Sequence, residues 1–117
     1  MTPRRAMSDS TRRDQLTGTL DMLVLRTLSL GPAHGYAIAR HIERLSEDVL
    51  KVEHGSLYPA LDRLLRRGLV TAKWGDTSTG RKARLYTITR SGRKQLADRS
   101  AEHERITLAI ARVMGRA

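Results

Sequence analysis

Cationic side chains are concentrated in one stretch of this chain of 117 residues. The 22 Lys and Arg residues exceed the 12 Asp and Glu residues, which gives a net charge of +10. Residues 56–90 carry a net charge of +6, whereas residues 16–55 carry −1. Eighteen of the cations are Arg, which binds phosphate or guanine through two parallel hydrogen bonds, although a GC-rich genome would also favour Arg. The clustering itself predicts a polyanionic partner, most often nucleic acid.

Catalytic and metal-binding patterns are missing from the sequence. The chain has no Cys, which excludes disulfides, thiolate catalysis and thiolate metal ligands. The four His residues lack the spacing of metal ligands, and no His pair at i and i+4 accompanies a Glu. Neither a Gly-x-Ser-x-Gly turn nor a phosphate-binding glycine-rich loop occurs. We therefore expect no enzyme activity, no metal and no cofactor.

Length and composition are typical of one compact domain. The apolar fraction is close to the globular norm of about 45–50%. No apolar run approaches the ~20 residues of a membrane span. The polar, basic segment over residues 1–15 lacks the hydrophobic stretch of a signal peptide. We expect a cytoplasmic protein in which residues 1–15 form a flexible arm, either contacting DNA or remaining a solvated tail.

Two amphipathic helices are predicted before the cationic stretch. The first covers residues 16–30, where apolar side chains recur at i, i+3, i+4, i+7 and i+8, and it ends at Gly31-Pro32. The second covers residues 36–45, with Ile38, Ile42 and Leu45 on its buried face. A polar break follows, in which residues 49–52 could form a short extended piece.

A third helix is predicted over residues 57–67. Ser56 is a suitable N-cap, and Pro59 would fall in the first turn, where its missing N–H costs nothing. Four leucines form the buried face, while Arg63, Arg66 and Arg67 are expected on the outer side with Asp62. Gly68 ends the helix.

A β-hairpin with a basic tip follows the third helix. Residues 70–74 and 86–88 alternate with period two, and the segment between them is rich in turn residues. The returning segment carries Arg81, Lys82 and Arg84. Trp74 is predicted to be a core side chain rather than a platform for a ligand. A lone hairpin is marginally stable, so it must pack on the helices.

The last helix is predicted over residues 90–114, with Thr89 as its cap. Its ~25 residues would make a rod of about 35–40 Å, longer than a small core covers, so we favour dimerisation over packing on its own domain. The near-heptad seam and its end supply the expected dimer contacts, which are Leu96, His103, Ile106, Ile110, Val113 and Met114.

The order of elements predicts a mainly α winged helix-turn-helix with a small β-hairpin and a long C-terminal dimerisation helix. Residues 16–89 would form the DNA-binding domain and residues 90–117 the dimerisation helix. The chain also resembles the PadR family of transcriptional regulators over about residues 16–115. The motifs that carry this resemblance are Leu20-Asp21-Met22-Leu23-Val24-Leu25, Gly31-Pro32-x-His34-Gly35-Tyr36-x-Ile38, Gly55-Ser56-Leu57-Tyr58-Pro59-Ala60-Leu61-x-Arg63-Leu64, Gly68-Leu69-Val70 and Gly80-Arg81-Lys82-Ala83-Arg84-x-Tyr86-x-Ile88-Thr89-x-x-Gly92.

The resemblance implies a dimeric bacterial repressor that binds a near-palindromic operator, and some members of the family are released by a small molecule. It also implies that the C-terminal helix forms the dimer interface with help from the first helix. Relatives that bind drugs line a pore with aromatic rings, which the last helix here lacks. The expected DNA contacts, from the resemblance and from the cationic pattern together, are Tyr36, His54, Ser56, Tyr58, Pro59, Arg63, Arg66, Arg81, Lys82 and Arg84.

Two other functions compete with a sequence-specific regulator. A structural protein that coats nucleic acid without sequence preference would also carry a net charge of +10, and it predicts equal affinity for random and promoter DNA. A protein-interaction module that uses this fold without DNA predicts no salt-sensitive DNA binding. Polar residues after a helix cap, where base edges are read, favour the regulator.

Overall fold

A computed structural model of the chain describes residues 9–77 and 79–116, without the side chains of residues 9–17. Within these residues the mainly α winged helix-turn-helix architecture is confirmed, with β3 between β1 and β2 and antiparallel to both. The elements in chain order are α1 (Asp9–Ser29), β1 (Ala33–His34), α2 (Gly35–Leu45), α3 (His54–Arg66), β2 (Val70–Asp76), β3 (Lys82–Ile88) and α4 (Arg90–Val113).

The core lies where α1, α2 and α3 meet one face of the sheet. The buried side chains of each helix recur every three or four residues, so that one face of each helix is covered. Alternate residues of β2 and β3 complete the same cluster. The fully buried or nearly buried members are Val24, Leu25, Leu28, Ile38, Ile42, Leu57, Leu61, Leu64, Val70, Tyr86 and Ile88.

α1 begins earlier than the sequence predicts. It starts at Asp9 rather than at Leu16, so the last seven residues of the predicted flexible arm are helical. Arg12, Arg13 and Gln15 in this segment have good helix propensity, and extending an existing helix costs less than starting one. The remainder of the predicted arm, residues 1–8, lies outside the described residues.

α3 also begins earlier, and the predicted cap is wrong. Its N-cap is Glu53, whose side chain makes no capping hydrogen bond. The Glu53 carbonyl accepts from the backbone N–H groups of Ser56 and Leu57, at 3.0 and 2.9 Å. Pro59 is therefore in the second turn, where it removes the bond to the Gly55 carbonyl. Ser56 lies inside the first turn instead of capping it.

The connection from α2 to α3 forms no strand within residues 46–53, so the predicted extended piece at residues 49–52 is wrong. Glu47 and Asp48 have positive φ angles of 51° and 64°. Ser46 Oγ accepts from the Leu50 N–H at 3.1 Å, and the Glu43 carboxylate accepts from the Val52 N–H at 3.0 Å. Side chains thus satisfy backbone donors that a sheet would otherwise pair.

The hairpin pairs in the register that joins Val70 to Ile88, Ala72 to Tyr86 and Trp74 to Arg84. We call residues 70–88 the wing. β1 adds a short third strand, in which His34 pairs with Leu85. Sequence periodicity missed β1 because two residues are too few to show alternation.

α4 is anchored at its first turns and uncovered beyond them. Thr89 Oγ1 accepts from the Gly92 N–H at 3.0 Å, which confirms the predicted cap. Leu96 packs against the core of its own chain, so it is not on the uncovered part where a dimer contact was expected. Every residue from Ser100 to Ile110 is exposed. The second half of α4 therefore extends past the domain.

Candidate nucleic-acid interface

A groove of about 840 Å³ lies between the wing, α3 and the beginning of α2. We call it the wing groove. All four aromatic residues of the chain line it, together with three cations and one carboxylate. Its aromatic and charged lining residues are Tyr36, Tyr58, Trp74, Tyr86, Arg81, Lys82, Arg84 and Asp62. A surface that combines cations with exposed rings is suited to nucleic acid.

Trp74 forms the outer wall of the wing groove and is 66% exposed. The prediction that it is a core side chain is wrong. Its strand face packs on the helices at Val70 and Ala72, but the strand continues past the helices by the time it reaches Trp74. The cross-strand partner Arg84 places its guanidinium carbon 5.6 Å from the centre of the Trp74 ring. A cation over an aromatic face is attracted by the ring quadrupole.

Arg84 lies between two aromatic rings instead of extending freely from the wing. Its guanidinium carbon is also 5.7 Å from the centre of the Tyr86 ring. The Arg84 Nε atom is buried without a hydrogen-bond partner. Burial raises the pKa of the Tyr86 hydroxyl above its ordinary value of 10.0, and the Arg84 cation acts in the opposite direction. The Tyr86 hydroxyl is therefore neutral near pH 7, and its ring packs against the Arg84 guanidinium.

Tyr58 joins α3 to α2 at the inner end of the wing groove. Its hydroxyl lies 3.1 Å from the position that a Cβ on Gly35 would take, so a side chain there would require the Tyr58 ring to shift by a few tenths of an ångström. His54 packs edge-on to the Tyr58 ring, with ring centres 5.7 Å apart. Tyr58 is 43% exposed, so its ring is accessible from the groove.

The beginning of α2 borders the groove with an exposed ring and an uncapped helix end. Tyr36 is 64% exposed, and the Arg40 guanidinium carbon lies 5.9 Å from its ring centre. The N-cap residue His34 makes no capping hydrogen bond. Its Nδ1 instead lies 3.0 Å from the Arg84 carbonyl oxygen, which ties α2 to β3. An uncapped helix N-terminus is favourable for phosphate.

Arg63 lies on the side of α3 that faces α1, not on the outer side as predicted. Its Nη2 donates to Asp21 Oδ1 at 3.0 Å, and Asp21 is buried. Ser56, Pro59 and Arg63 line a second cavity of about 400 Å³. Successive residues of a helix are about 100° apart, so Arg63 points away from its neighbour Asp62, which lines the wing groove.

The structure thus brings together only part of the predicted DNA-binding set. Tyr36, Tyr58, Arg81, Lys82 and Arg84 meet at the wing groove, with His54 against Tyr58. Arg66 is exposed in the last turn of α3. Sequence reasoning missed His34, Asp62 and Trp74 as groove residues. Trp74 could have been found from its strand register, since it continues the face of Ala72 beyond the helices.

The described part of the chain contains neither a candidate metal site nor a candidate membrane-spanning helix. No group of His, Asp and Glu in that part could hold a metal ion. No helix in it is both long and apolar enough to cross a membrane.

The part of the chain that matches known proteins includes the residues of this interface. Residues 24–98 match the family model described as Transcriptional regulator PadR-like family. Protein X of Lysinibacillus sphaericus, an uncharacterized protein, is 30% identical over 87 residues, which are 74% of this chain and 80% of that protein. The negative transcriptional regulator PadR of Bacillus subtilis strain 168 is 28% identical over 87 residues, 74% of this chain. This match spans about half of that regulator, 48% of its length.

The fold is similar to those of solved regulators. The structure of a transcriptional regulator from Clostridium thermocellum superposes with a TM-score of 0.76 at 25% identity. The match covers 85% of this chain and 96% of that chain. The similarity in sequence and in fold therefore includes α3 and the wing.

Proposed function

The chain belongs to the PadR-like family of transcriptional regulators, and from this premise we propose that it binds double-stranded DNA as a sequence-specific repressor. It is not an enzyme, because this family consists of DNA-binding regulators. The observation that carries the proposal is the wing groove, where the beginning of α2, α3 and the wing cations open onto one space. A major groove about 12 Å wide admits a helix such as α3.

The side chains around the wing groove divide into contacts and supports. Arg81 and Lys82 are exposed on the wing, where they bind phosphate. Tyr36 and Tyr58 flank the duplex from α2 and α3. Further contacts from α3 come from His54, Ser56, Pro59 and Arg66.

Arg63 and Arg84 have positioning roles in this proposal. Arg63 is paired with the buried Asp21 and holds α3 against α1. Arg84 supports the Trp74 ring from below. Both side chains are held by the protein itself, so their effect on DNA is exerted through the elements that they position.

We assign dimerisation to residues 90–117 and DNA binding to residues 16–89, with residues 1–15 as an additional arm. The uncovered half of α4 supports this division, because Ile106, Ile110, Val113 and Met114 are between 48% and 87% exposed. Exposed apolar stripes of this kind mark protein–protein contacts. A dimer would place two α3 helices about 34–36 Å apart, which requires a near-palindromic operator.

Repression and release are the finer parts of the proposal. The Bacillus subtilis relative is named a negative transcriptional regulator, which supports repression here. A small-molecule effector that binds between two α4 helices would meet no aromatic ring, because α4 has none. Such an effector would be held by aliphatic and polar contacts.

Capture of sheared genomic DNA by the purified full chain tests sequence-specific binding. The bound fragments are sequenced, and the enriched sites are compared with shuffled duplexes in a mobility-shift titration. We expect a small number of enriched sites with an inverted repeat, bound more tightly than the shuffled duplexes. Equal affinity for both would indicate non-specific coating, and no salt-sensitive retention would indicate a protein-interaction module.

A further inference from the structure

We propose that Asp62 reads the amino group of a cytosine in the major groove and thereby sets the base preference of this regulator. The inference rests on the proposed DNA-binding function. Asp62 is the only acidic residue of α3, and it is exposed. It lines the wing groove opposite Arg81, Lys82 and Arg84. A carboxylate in this position needs a physical reason.

No ion pair or hydrogen bond within the described residues supplies that reason, although the Asp62 carboxylate interacts electrostatically with Tyr86 across the groove. Among the described residues Asp62 has neither an ion pair nor a hydrogen bond. Its neighbour Arg63 donates to Asp21 instead, on the other side of α3. The Arg84 guanidinium lies between the rings of Trp74 and Tyr86. Asp62 therefore does not pair with Arg63.

The carboxylate also opposes general affinity for DNA. A negative charge beside a phosphate backbone is repelled, so Asp62 weakens binding to every duplex. It becomes favourable only where a base offers it a hydrogen-bond donor. In the major groove those donors are the amino groups of cytosine and of adenine.

Cytosine is the better partner for a carboxylate. The adenine amino group lies between two acceptors, adenine N7 and thymine O4, and both repel a carboxylate oxygen. The cytosine amino group has an acceptor on one side only, the guanine O6 of its own base pair. Asp62 should therefore select a C·G pair with its cytosine on the strand nearest to α3.

The outer side of α3 allows a short side chain to reach a base. Helical geometry, with about 100° per residue, places Gly55, Pro59 and Asp62 on the side opposite the buried leucines. Gly55 and Pro59 are both exposed, and neither carries a long side chain. Arg66 lies on the same side in the last turn, and its long side chain can turn toward a phosphate. The helix can therefore approach the base edges through its first turns, which brings Asp62 within reach of a base.

Selection from a random duplex library, with the full-length chain and its variants, tests the assignment. The variants are Asp62→Ala and Asp62→Asn, with Asp98→Asn as the control. Asp98 is an exposed aspartate on α4, remote from the wing groove. The unmodified protein should enrich one fixed cytosine per half-site, and replacing that cytosine should weaken binding about tenfold.

Each variant has its own expected result. Asp62→Ala should lose the cytosine preference and bind shuffled duplexes more tightly. Asp62→Asn should move the preference at the same position to adenine, because an amide pairs with adenine N6 and N7. Asp98→Asn should select the same motif as the unmodified protein.

Three results would overturn the inference. An identical motif for the unmodified protein and Asp62→Ala would exclude base reading by this residue. Loss of all DNA binding by Asp62→Ala, with an unchanged circular dichroism spectrum, would assign Asp62 to affinity and not to base choice. No selected motif for the unmodified protein would instead refute the proposed sequence-specific function itself.

Discussion

Arg63 and Asp21 are the charged residues that fix α3 to α1. The Asp21 side chain is 8% exposed and that of Arg63 is 32% exposed. Replacing Arg63 with Met leaves a buried carboxylate unpaired, which costs about 3–5 kcal/mol for a fully buried pair. Because Arg63 is partly solvated, we expect about 1–3 kcal/mol less free energy of unfolding. Urea denaturation of the variant and of the unmodified protein measures this loss of stability.

The matched control for this variant is Lys51→Met. Lys51 pairs with Asp48 at 3.2 Å, but both side chains are well exposed, at 65% and 72%. Exposed pairs of this kind contribute about 0–1 kcal/mol. Equal loss of stability in the two variants would contradict a special role for the Asp21–Arg63 contact.

Gly92 allows α4 to pass directly over the end of the wing. A Cβ at this position would meet the Leu69 carbonyl oxygen and would lie 2.7 Å from the Ile88 side chain. Gly92→Ala must therefore push the helix away, and overpacking of this kind costs roughly 1–3 kcal/mol. Thermal denaturation should show a lower Tm. Gly75→Ala, where nothing lies within 4 Å, should leave the Tm nearly unchanged, and equal shifts would exclude the packing explanation.

At the scale of elements, we expect the wing to contact phosphate through Arg81 and Lys82, which are exposed. Changing both to Ala should lower the dependence of log K on log salt by up to about 2, since each contact releases about one counterion. Binding should weaken for all sequences alike. A mobility-shift series at several salt concentrations measures the slope. Arg93→Ala with Lys94→Ala removes the same two residue types from α4, and a slope that falls equally there would remove the wing from the interface.

The helices were predictable from the sequence because their periodicity is strong. The buried stripe of α3 follows its leucines and that of α2 follows Ile38 and Ile42, and Thr89 caps α4 as expected. The prediction that Leu45 is buried is wrong, because Leu45 ends α2 and is 67% exposed. The start of α3 was not predictable, because the Glu53 carbonyl accepts the first helical bonds without a capping side chain. β1 escaped detection for a different reason, since its two residues pair with β3 only in the folded protein.

The residue types at the site were predictable from the sequence, but the directions in which their side chains point were not. The sequence places cations on the third helix and at the hairpin tip, and both occur there. Which way Arg63 points depends on Asp21, a residue 42 positions away in the chain. Trp74 is exposed because the strand extends beyond the helices that pack against it. Periodicity alone does not show where the helices end.

At the scale of the molecule, the apolar side chains on the second half of α4 have no packing partner within the described part of the chain. Replacing Ile106 and Ile110 with Glu should produce monomers, because the charges would be buried against the same stripe of a partner. Sedimentation velocity measures the mass. Ala97→Glu with Ala101→Glu adds the same two charges on the opposite side of the helix, where both residues are exposed, and should remain dimeric. A dimer that survives the Ile106 and Ile110 changes would contradict the assignment of the interface.

The distribution of charge is also a property of the whole molecule. Residues 56–90 carry a net charge of +6, of which +4 lies on α3 and the wing, while residues 16–55 carry −1. Three cations, Arg81, Lys82 and Arg84, and one carboxylate line the wing groove, so the groove carries a net positive charge that attracts a polyanion. That DNA binds in the wing groove is the central claim of the proposed function.

Trp74 provides the most direct measurement of that claim. It is the only tryptophan of the chain, it is 66% exposed and it lines the wing groove. Its fluorescence is recorded while a selected duplex is added, with acrylamide quenching before and after saturation. We predict that the emission changes in proportion to the bound fraction and that DNA protects Trp74 from acrylamide. Unchanged emission and unchanged quenching, with DNA bound in a parallel mobility shift, would contradict binding in the wing groove.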